Sequence, residues 1–276
     1  MSSITINPRE RIAIIGSGGK TTLMCNLARS CPGRVIMTTT THLAAPHVKT
    51  SDLNCHATKV ASDISSIDGV NSDIIPSDIS AYVRQEDPCY PGSFAPFINL
   101  DTLVRRWQQG ETCLLTARLN PSQPRLTSLT PAEVDAISTW PDLDRLIVEA
   151  DGSKRLPIKA HKAGEPVLFS LCTLGIAVIG LGALHRQVTE GEVHRAPLLR
   201  QLLGCSAEHR LTPQDIARTA HAYLSLLNTP HRALVLSQAE HGSDGELEAV
   251  LQSLRAMLAH YYPDCELAVQ KRGELL

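Results

Sequence analysis

Short apolar runs alternate along the chain with segments in which apolar residues recur every three or four positions. RIAII (11–15) reads as a buried strand, residues 20–30 as a helix, and RVIMTT (34–39) as a second strand after the Pro32-Gly33 turn, which together predict a β-α-β unit. Residues 42–100 are rich in Ser, Asp, Pro and His and weakly periodic. They predict loops with short elements that could border an active site. The pattern returns with TCLLTA (112–117) as a strand, and LTPAEVDAIS then opens a helix. Thr130 suits its cap, Pro131 its first position, and Glu133 lies three residues past the cap. DRLIVEADG (144–152) predicts a buried strand. The last third repeats this grammar. LGIAVIGLGAL contains a strand, LTPQDIARTAHAYLSLL is a helix opened by Thr212 and Pro213, and RALVLS (232–237) is a strand. Leu247, Val250, Leu251, Leu254 and Leu258 make one apolar helical face. Repeated β-α alternation predicts an α/β fold, a mostly parallel sheet with helices on both faces. With no fixed-period repeat, low-complexity tract or linker, residues 1–276 are expected to form a single domain, with a subdomain conceivable from residue 180 onward.

Composition narrows the function. A formal charge of -2 argues against a protein that coats nucleic acid or an anionic membrane, where a basic excess supplies the affinity. The start, MSSITINPRE, lacks a signal-peptide pattern, and the apolar stretch around 174–184 is too short to span a bilayer, so a cytoplasmic location is expected. The eight cysteines stand singly with no C-x-x-C pair, which predicts buried free thiols in place of zinc ligation; the adjacent Cys55 and His56 lack a second pair.

Candidate chemistry begins at GSGGKTT, residues 16–22, between the first strand and its helix. Gly16 and Gly18 meet the first two positions of a dinucleotide fingerprint, but Thr21 occupies the third, where close helix packing wants glycine. A Walker A loop asks for four residues between its glycines, and Gly16 to Gly19 provides two. The shorter form keeps the chemistry. Amides of Gly16, Ser17, Gly18 and Gly19, opening onto a helix N-terminus, can line an anionic pocket; Lys20 can reach terminal phosphates, and Thr21 beside Thr22 can ligate Mg²⁺. Contracted loops of this form resemble those of the Mur ligases, which bind ATP.

Carboxylates are expected near such a metal, at the end of a neighbouring strand. LIVEADGSKR supplies Glu149 and Asp151, which strand periodicity places on one face. Either could hold Mg²⁺, directly or through water, while the other orients water or accepts a proton. Lys154, with Arg155 and Lys159 nearby, could neutralise phosphate charge. TTTTH (38–42) sits at a strand's C-terminal end, where ligands bind in open parallel sheets, and makes Thr40, Thr41 and His42 candidate substrate contacts. In GLGALHRQVTEGEVHRAPL, His194 and Arg195 suit an anionic substrate.

The ordered set IIGSGGKTTLM, VIMTTTTH, LIVEADGSKRLPIKA, EPV and GLGALHRQVTEGEVHR resembles the YqeC family, selenium-dependent hydroxylase accessory proteins with a P-loop NTPase-like fold. The resemblance runs from about residue 11 to 240. It implies nucleotide binding in the maturation of molybdenum hydroxylases, with such a hydroxylase or its maturation proteins as partners. It places Gly16, Gly18, Gly19, Lys20 and Thr21 in the phosphate loop, Thr38 to His42 in a second motif, and Glu149, Asp151, Gly152, Ser153 and Lys154 in an acidic one. The chain departs from the family at Gly182 and His185, in a segment that often reads GLDALG. It departs again at SQAE (237–240), where an NKAD-like string would read guanine. Without that Asn and Asp, ATP is favoured over GTP. The expected roles are Lys20 on the β- and γ-phosphates, Thr21 and Asp151 on Mg²⁺, and Glu149 activating water or a hydroxyl. Two rival readings are a nucleotide-gated chaperone and a selenium or cofactor carrier that uses Cys25.

Overall fold

The computed structural model describes residues 4–41, 93–96, 99–119, 126–271 and 274–275. Its strands are β1 (Arg11–Gly16), β2 (Val35–Thr39), β3 (Ser93–Pro96), β4 (Cys113–Leu119), β5 (Leu126–Thr127), β6 (Arg145–Glu149), β7 (Leu174–Gly180), β8 (His231–Ser237), β9 (Glu266–Lys271) and β10 (Glu274–Leu275). The helices are α1 (Lys20–Arg29), α2 (Leu100–Gln108), α3 (Pro131–Ser138), α4 (Ala196–Leu203), α5 (Pro213–Ser225) and α6 (Asp244–Tyr261).

All ten strands belong to one sheet, in the order β10-β9-β8-β7-β1-β6-β2-β4-β3, with β5 paired to β4. Every pairing from β3 through β9 is parallel; only β10 on β9 and β5 on β4 run antiparallel. The expected α/β architecture is therefore present, and the stretch after residue 180 continues the same sheet with β8, β9 and β10.

Strand periodicity divides the core in two. Ile12 and Ile14 of β1 join Met37, Ile147, Val178 and Val235 on one face, which is packed by Leu23, Met24 and Leu27 of α1. Ala13 and Ile15 join the opposite face, covered by α2 through Leu103 and Trp107, α3 through Val134 and Ile137, and the apolar sides of α4, α5 and α6. Thr130 caps α3 in a reciprocal box with Glu133, and Thr212 caps α5 with Asp215; Pro131 and Pro213 follow those caps. On α6, Val250, Leu251, Leu254 and Leu258 are buried as their spacing requires, with Leu247 partly buried beside them.

Besides the short strands β5 and β10, three elements were not evident in the sequence. α2 begins at Leu100, where a loop was expected to end; α4 follows Arg195; and β9 lies on the outer side of β8. The rest of the 42–100 segment, including His42, Cys55 and His56, lies outside the described residues apart from β3 and residues 99–100.

The strand order also positions the site. The chain leaves β1 through α1 and returns at β2, but β6 comes back between them, so β1 has β6 on one side and β7 on the other. The C-terminal ends of these three strands lie side by side where the strand order reverses, the place at which open parallel sheets bind ligands. Among the described residues, no helix is long and apolar enough to cross a membrane.

Candidate functional site

Register brings the glycine loop and the acidic motif together. Ile14 of β1 and Thr39 of β2 both pair with Glu149 of β6, while Gly16 pairs with Val178 of β7. The Thr39 hydroxyl donates to the Glu149 carbonyl at 2.8 Å, and the Thr40 amide donates to the same carbonyl at 3.2 Å, so β2 fixes the end of β6. Strand β6 stops at Glu149, and Asp151 lies just beyond it. There the carboxylate accepts the Gly16 amide at 2.7 Å and closes the end of β1.

The loop itself turns sharply. A Cβ on Gly16 would lie 2.1 Å from the Val178 carbonyl oxygen, and one on Gly18 would lie 2.9 Å from Gly180 Cα, so both glycines are needed for packing against β7. Gly19 caps α1 with φ of 117°, where its missing side chain would meet only ordinary contacts. Its glycine requirement is purely conformational. Ser17 is fully buried, with its amide donating to the Val178 carbonyl at 2.8 Å. The Ser237 hydroxyl donates to the Gly18 carbonyl and fastens the loop to the end of β8. Leu23 makes the first helical bond back to Gly19, so the first-turn amides of Lys20, Thr21 and Thr22 have no acceptor within the helix.

Lys20 is buried. Its ammonium donates to the Gly16 carbonyl at 2.8 Å and lies 3.2 Å from Asp151 Oδ1 and 3.6 Å from Glu149 Oε1. Burial opposes its charge, but the two carboxylates outweigh burial and raise its pKa. The Glu149 pKa is raised as well, here by burial, despite Lys20 and the Thr21 hydroxyl, which donates to Oε2 at 2.9 Å. Asp151 is fully enclosed. Burial would raise its pKa, yet Lys20, His161 and Lys159 hold it well below the usual carboxylate range.

The ion network extends beyond the expected residues. Lys159, also fully buried, lies 2.9 Å from Asp151 Oδ2, donates to the Gly152 carbonyl at 2.9 Å and sits 3.6 Å from Glu165. His161 presents Nε2 to Asp151 Oδ2 at 2.5 Å; against a carboxylate that nitrogen carries the proton and donates. Arg195 grips Glu165 with both terminal nitrogens, at 2.6 and 2.7 Å. Three cations thus face three carboxylates in a chain of contacts: Lys20, Lys159 and Arg195 against Glu149, Asp151 and Glu165. The Tyr223 hydroxyl receives the Lys159 amide at 2.9 Å and donates to the Lys159 carbonyl at 2.8 Å, and its ring meets His161 edge-on at 5.0 Å.

Several predicted contacts occupy other places. Lys154 is exposed, with φ of 50°; Lys159 is the lysine that reaches Asp151. Arg195 is committed to Glu165, and His194 is buried, with its backbone bonded to Ile158 and Ala160. Burial, then the charges of Arg195 and Lys159, lower the His194 pKa to about 4. The Thr40 hydroxyl donates to the Val167 carbonyl at 2.6 Å, and Thr41 contacts Thr39, so both act within the strand-end framework. Thr22 is exposed on the first turn of α1. His42 lies outside the described residues. Sequence reasoning missed His161, Glu165, Tyr223 and Ser237, although the dense run KAHKAGEP (159–166), directly after the acidic motif, was a usable signal for the first two.

Oxygen donors at the loop mouth suit a hard cation. Thr21 Oγ1 and Glu149 Oε2 stand side by side, with the Lys20 ammonium as the present counter-charge. Asp151 Oδ2 already accepts from Gly16, Lys159 and His161. Among the described residues no three His, Cys, Asp or Glu side chains converge as a metal site.

The family model described as "YqeC protein" matches residues 12–197, from the second residue of β1 to two residues past Arg195. The chain belongs to the YqeC family. A relative from Escherichia coli (strain K12), described as "Uncharacterized protein YqeC", is 25% identical over 223 residues, covering 79% of this chain and 71% of its own. The YqeC match contains every member of the ion network, whereas Tyr223 and Ser237, which brace Lys159 and the glycine loop, lie beyond it.

Proposed function

We propose that this YqeC protein is a Mg²⁺-dependent nucleotide-binding protein that hydrolyses ATP or transfers its terminal phosphoryl group, in the maturation of selenium-dependent molybdenum hydroxylases. One juxtaposition carries the nucleotide reading. A glycine loop opens onto a helix whose first residues, Lys20 and Thr21, meet the carboxylate of Glu149 on the adjacent parallel strand. The hydroxylase context rests on the family resemblance.

The first-turn amides of α1 and the positive end of its dipole favour phosphate oxygens. Lys20 would exchange its carboxylate partners for the β- and γ-phosphates, leaving Asp151 balanced by Lys159 and His161. Thr21 and Asp151, the latter through its unpartnered Oδ1, would hold Mg²⁺, which supplies charge neutralisation for the phosphates. Asp151 anchors the loop through Oδ2, which accepts from Gly16, Lys159 and His161, and keeps its buried Oδ1, without a hydrogen-bond partner, 3.2 Å from the Lys20 ammonium. Glu149, its pKa raised by burial, is the group placed to accept a proton from water or an acceptor hydroxyl. ATP is preferred to GTP because Ser237 and Glu240 stand where a guanine-reading string would have its Asn and Asp, and Ser237 is used to tie down Gly18. Cys25 is 1% exposed on α1, which disfavours its use as a carrier thiol.

The test is calorimetric titration with ATP and GTP analogues, with and without Mg²⁺, on the native protein and Lys20→Ala. Mg²⁺-dependent binding of the ATP analogue that disappears in Lys20→Ala is the expected result. Undiminished binding or turnover in Lys20→Ala would refute the assignment of the loop.

A further inference from the structure

A cavity of about 570 Å³ opens on the other side of the glycine loop, beyond the C-terminal ends of β7 and β8. Its size falls in the range of small-molecule sites. It adjoins the loop through shared walls: Pro157 and Gly180, which close on Gly18, lead directly to Gly182 and Gln238 in the cavity lining.

The lining is polar and cationic. Arg155, Arg186, Arg210, His185, His241 and Gln238 contribute to it, against the carboxylates of Glu192 and Glu246. Both carboxylates have partners: Arg186 lies 3.3 Å from Glu192, and His185 lies 2.9 Å from Glu246. Three arginines line the cavity against two carboxylates. No Phe, Tyr or Trp is present among its lining residues, so it lacks the flat apolar walls that suit a purine.

Two further observations mark the cavity as a built feature. Six residues other than glycine have positive φ among the described residues, and three of them line it: Arg155 at 63°, His185 at 64° and Gln238 at 56°. Such backbone strain persists only where the surroundings enforce it, and it collects at ligand sites. Gln238 Oε1 is buried with no hydrogen-bond partner, and it is held against Gly180 and Gly182, where a Cβ would come within 2.3 and 3.0 Å of it. A buried acceptor left unsatisfied is costly and calls for a donor.

The geometry points to a second ligand site for a small organic anion, a carboxylate or phosphate ester that also carries a hydroxyl or N–H donor. The arginines receive the anion and Gln238 receives the donor. The binding inference stands independently of the nucleotide reading; only the idea that two ligands meet at the glycine loop rests on it.

The test is amide NMR on the full-length protein, following Gly182, Gln187 and Gly242, with 3-phosphoglycerate as the probe and glycerol and inorganic phosphate as comparisons. Saturable shifts are expected with 3-phosphoglycerate and not with glycerol, undisturbed by Lys20→Ala. Arg210→Glu should weaken the titration about tenfold or more, and the exposed Arg155→Glu gives the same readout should Arg210→Glu fail to fold. Gln238→Leu should erase the advantage of 3-phosphoglycerate over inorganic phosphate. Absence of cavity shifts with the probe, or equal shifts with glycerol, would overturn the inference. Shifts of these amides by an ATP analogue with Mg²⁺, with expulsion of the probe, would also overturn it by making the cavity part of the nucleotide site. A probe that titrates while no nucleotide binds would uphold the cavity and refute the phosphate loop.

Discussion

The two flanks of the glycine loop are built on opposite principles. On the β6 side, Lys20, Glu149, Asp151, Lys159 and Glu165 are buried or nearly so, and each ion is matched by an opposite charge within 3.6 Å. On the β7–β8 side, the cavity walls keep an excess of arginine, a buried acceptor without a donor and three strained residues. The first flank matches each of its charges internally, Asp151 Oδ1 facing Lys20 without a formal hydrogen bond, and its residues define where the loop stands. The second retains unspent hydrogen-bonding capacity, which is what a recognition surface requires.

The largest effect should come from breaking the matched flank. Asp151→Asn strands two buried lysines and should destabilise the fold by about 3–5 kcal/mol in urea unfolding. The exposed Arg155→Glu on the other flank should stay within about 0.5 kcal/mol. Comparable losses from both would erase the distinction. Next in size, loss of Lys20 should remove about 2–4 kcal/mol of transition-state stabilisation from ATP turnover, by analogy with other preorganised donors, as read from kcat/KM.

The glycines sharpen the comparison within the loop. Gly16→Ala drives a methyl into the Val178 carbonyl and should cost about 3 kcal/mol of stability. Gly19→Ala meets no clash and should cost about 1 kcal/mol from its positive φ, seen as a smaller shift in Tm. Tyr223→Phe removes both hydrogen bonds to the Lys159 backbone and should cost about 1–2 kcal/mol.

The gentlest probe is pH. The folded pKa of His194 is lowered to about 4, by burial first and then by Arg195 and Lys159, so the unfolded chain takes up that proton earlier as pH falls. Its contribution is complete above the unfolded value of about 6.5 and declines as pH drops toward 4; His161, also lowered by burial, adds in the same direction. Asp151 and Glu165, both depressed, contribute stability that is lost only below the ordinary carboxylate range. His194→Gln should therefore flatten the upper part of the acid limb in pH-dependent unfolding and leave the lower part in place.

Much of this architecture was legible because local rules act locally. The caps at Thr130 and Thr212, the alternation of β1 and β6, and the α6 stripe are each specified within a few residues, and the structure follows them. The loop and acidic motifs could be named for the same reason. Their meeting was legible only as an expectation, since it depends on β6 returning between β1 and β2. Lys154 and Lys159 differ little as letters; the chain's path buries one against Asp151 and leaves the other in solvent.

The sequence by itself determined the β-α alternation, the helix caps and the chemical vocabulary of the site, because side-chain periodicity and capping act between neighbours. Tertiary structure alone decided that Asp151 takes Lys20, Lys159 and His161 together, that Arg195 clamps Glu165, and that Ser237 and Tyr223 reach back from the C-terminal third. Those contacts join residues up to 219 positions apart, as between Ser237 and Gly18, and strand order in a parallel sheet is set by how whole layers pack.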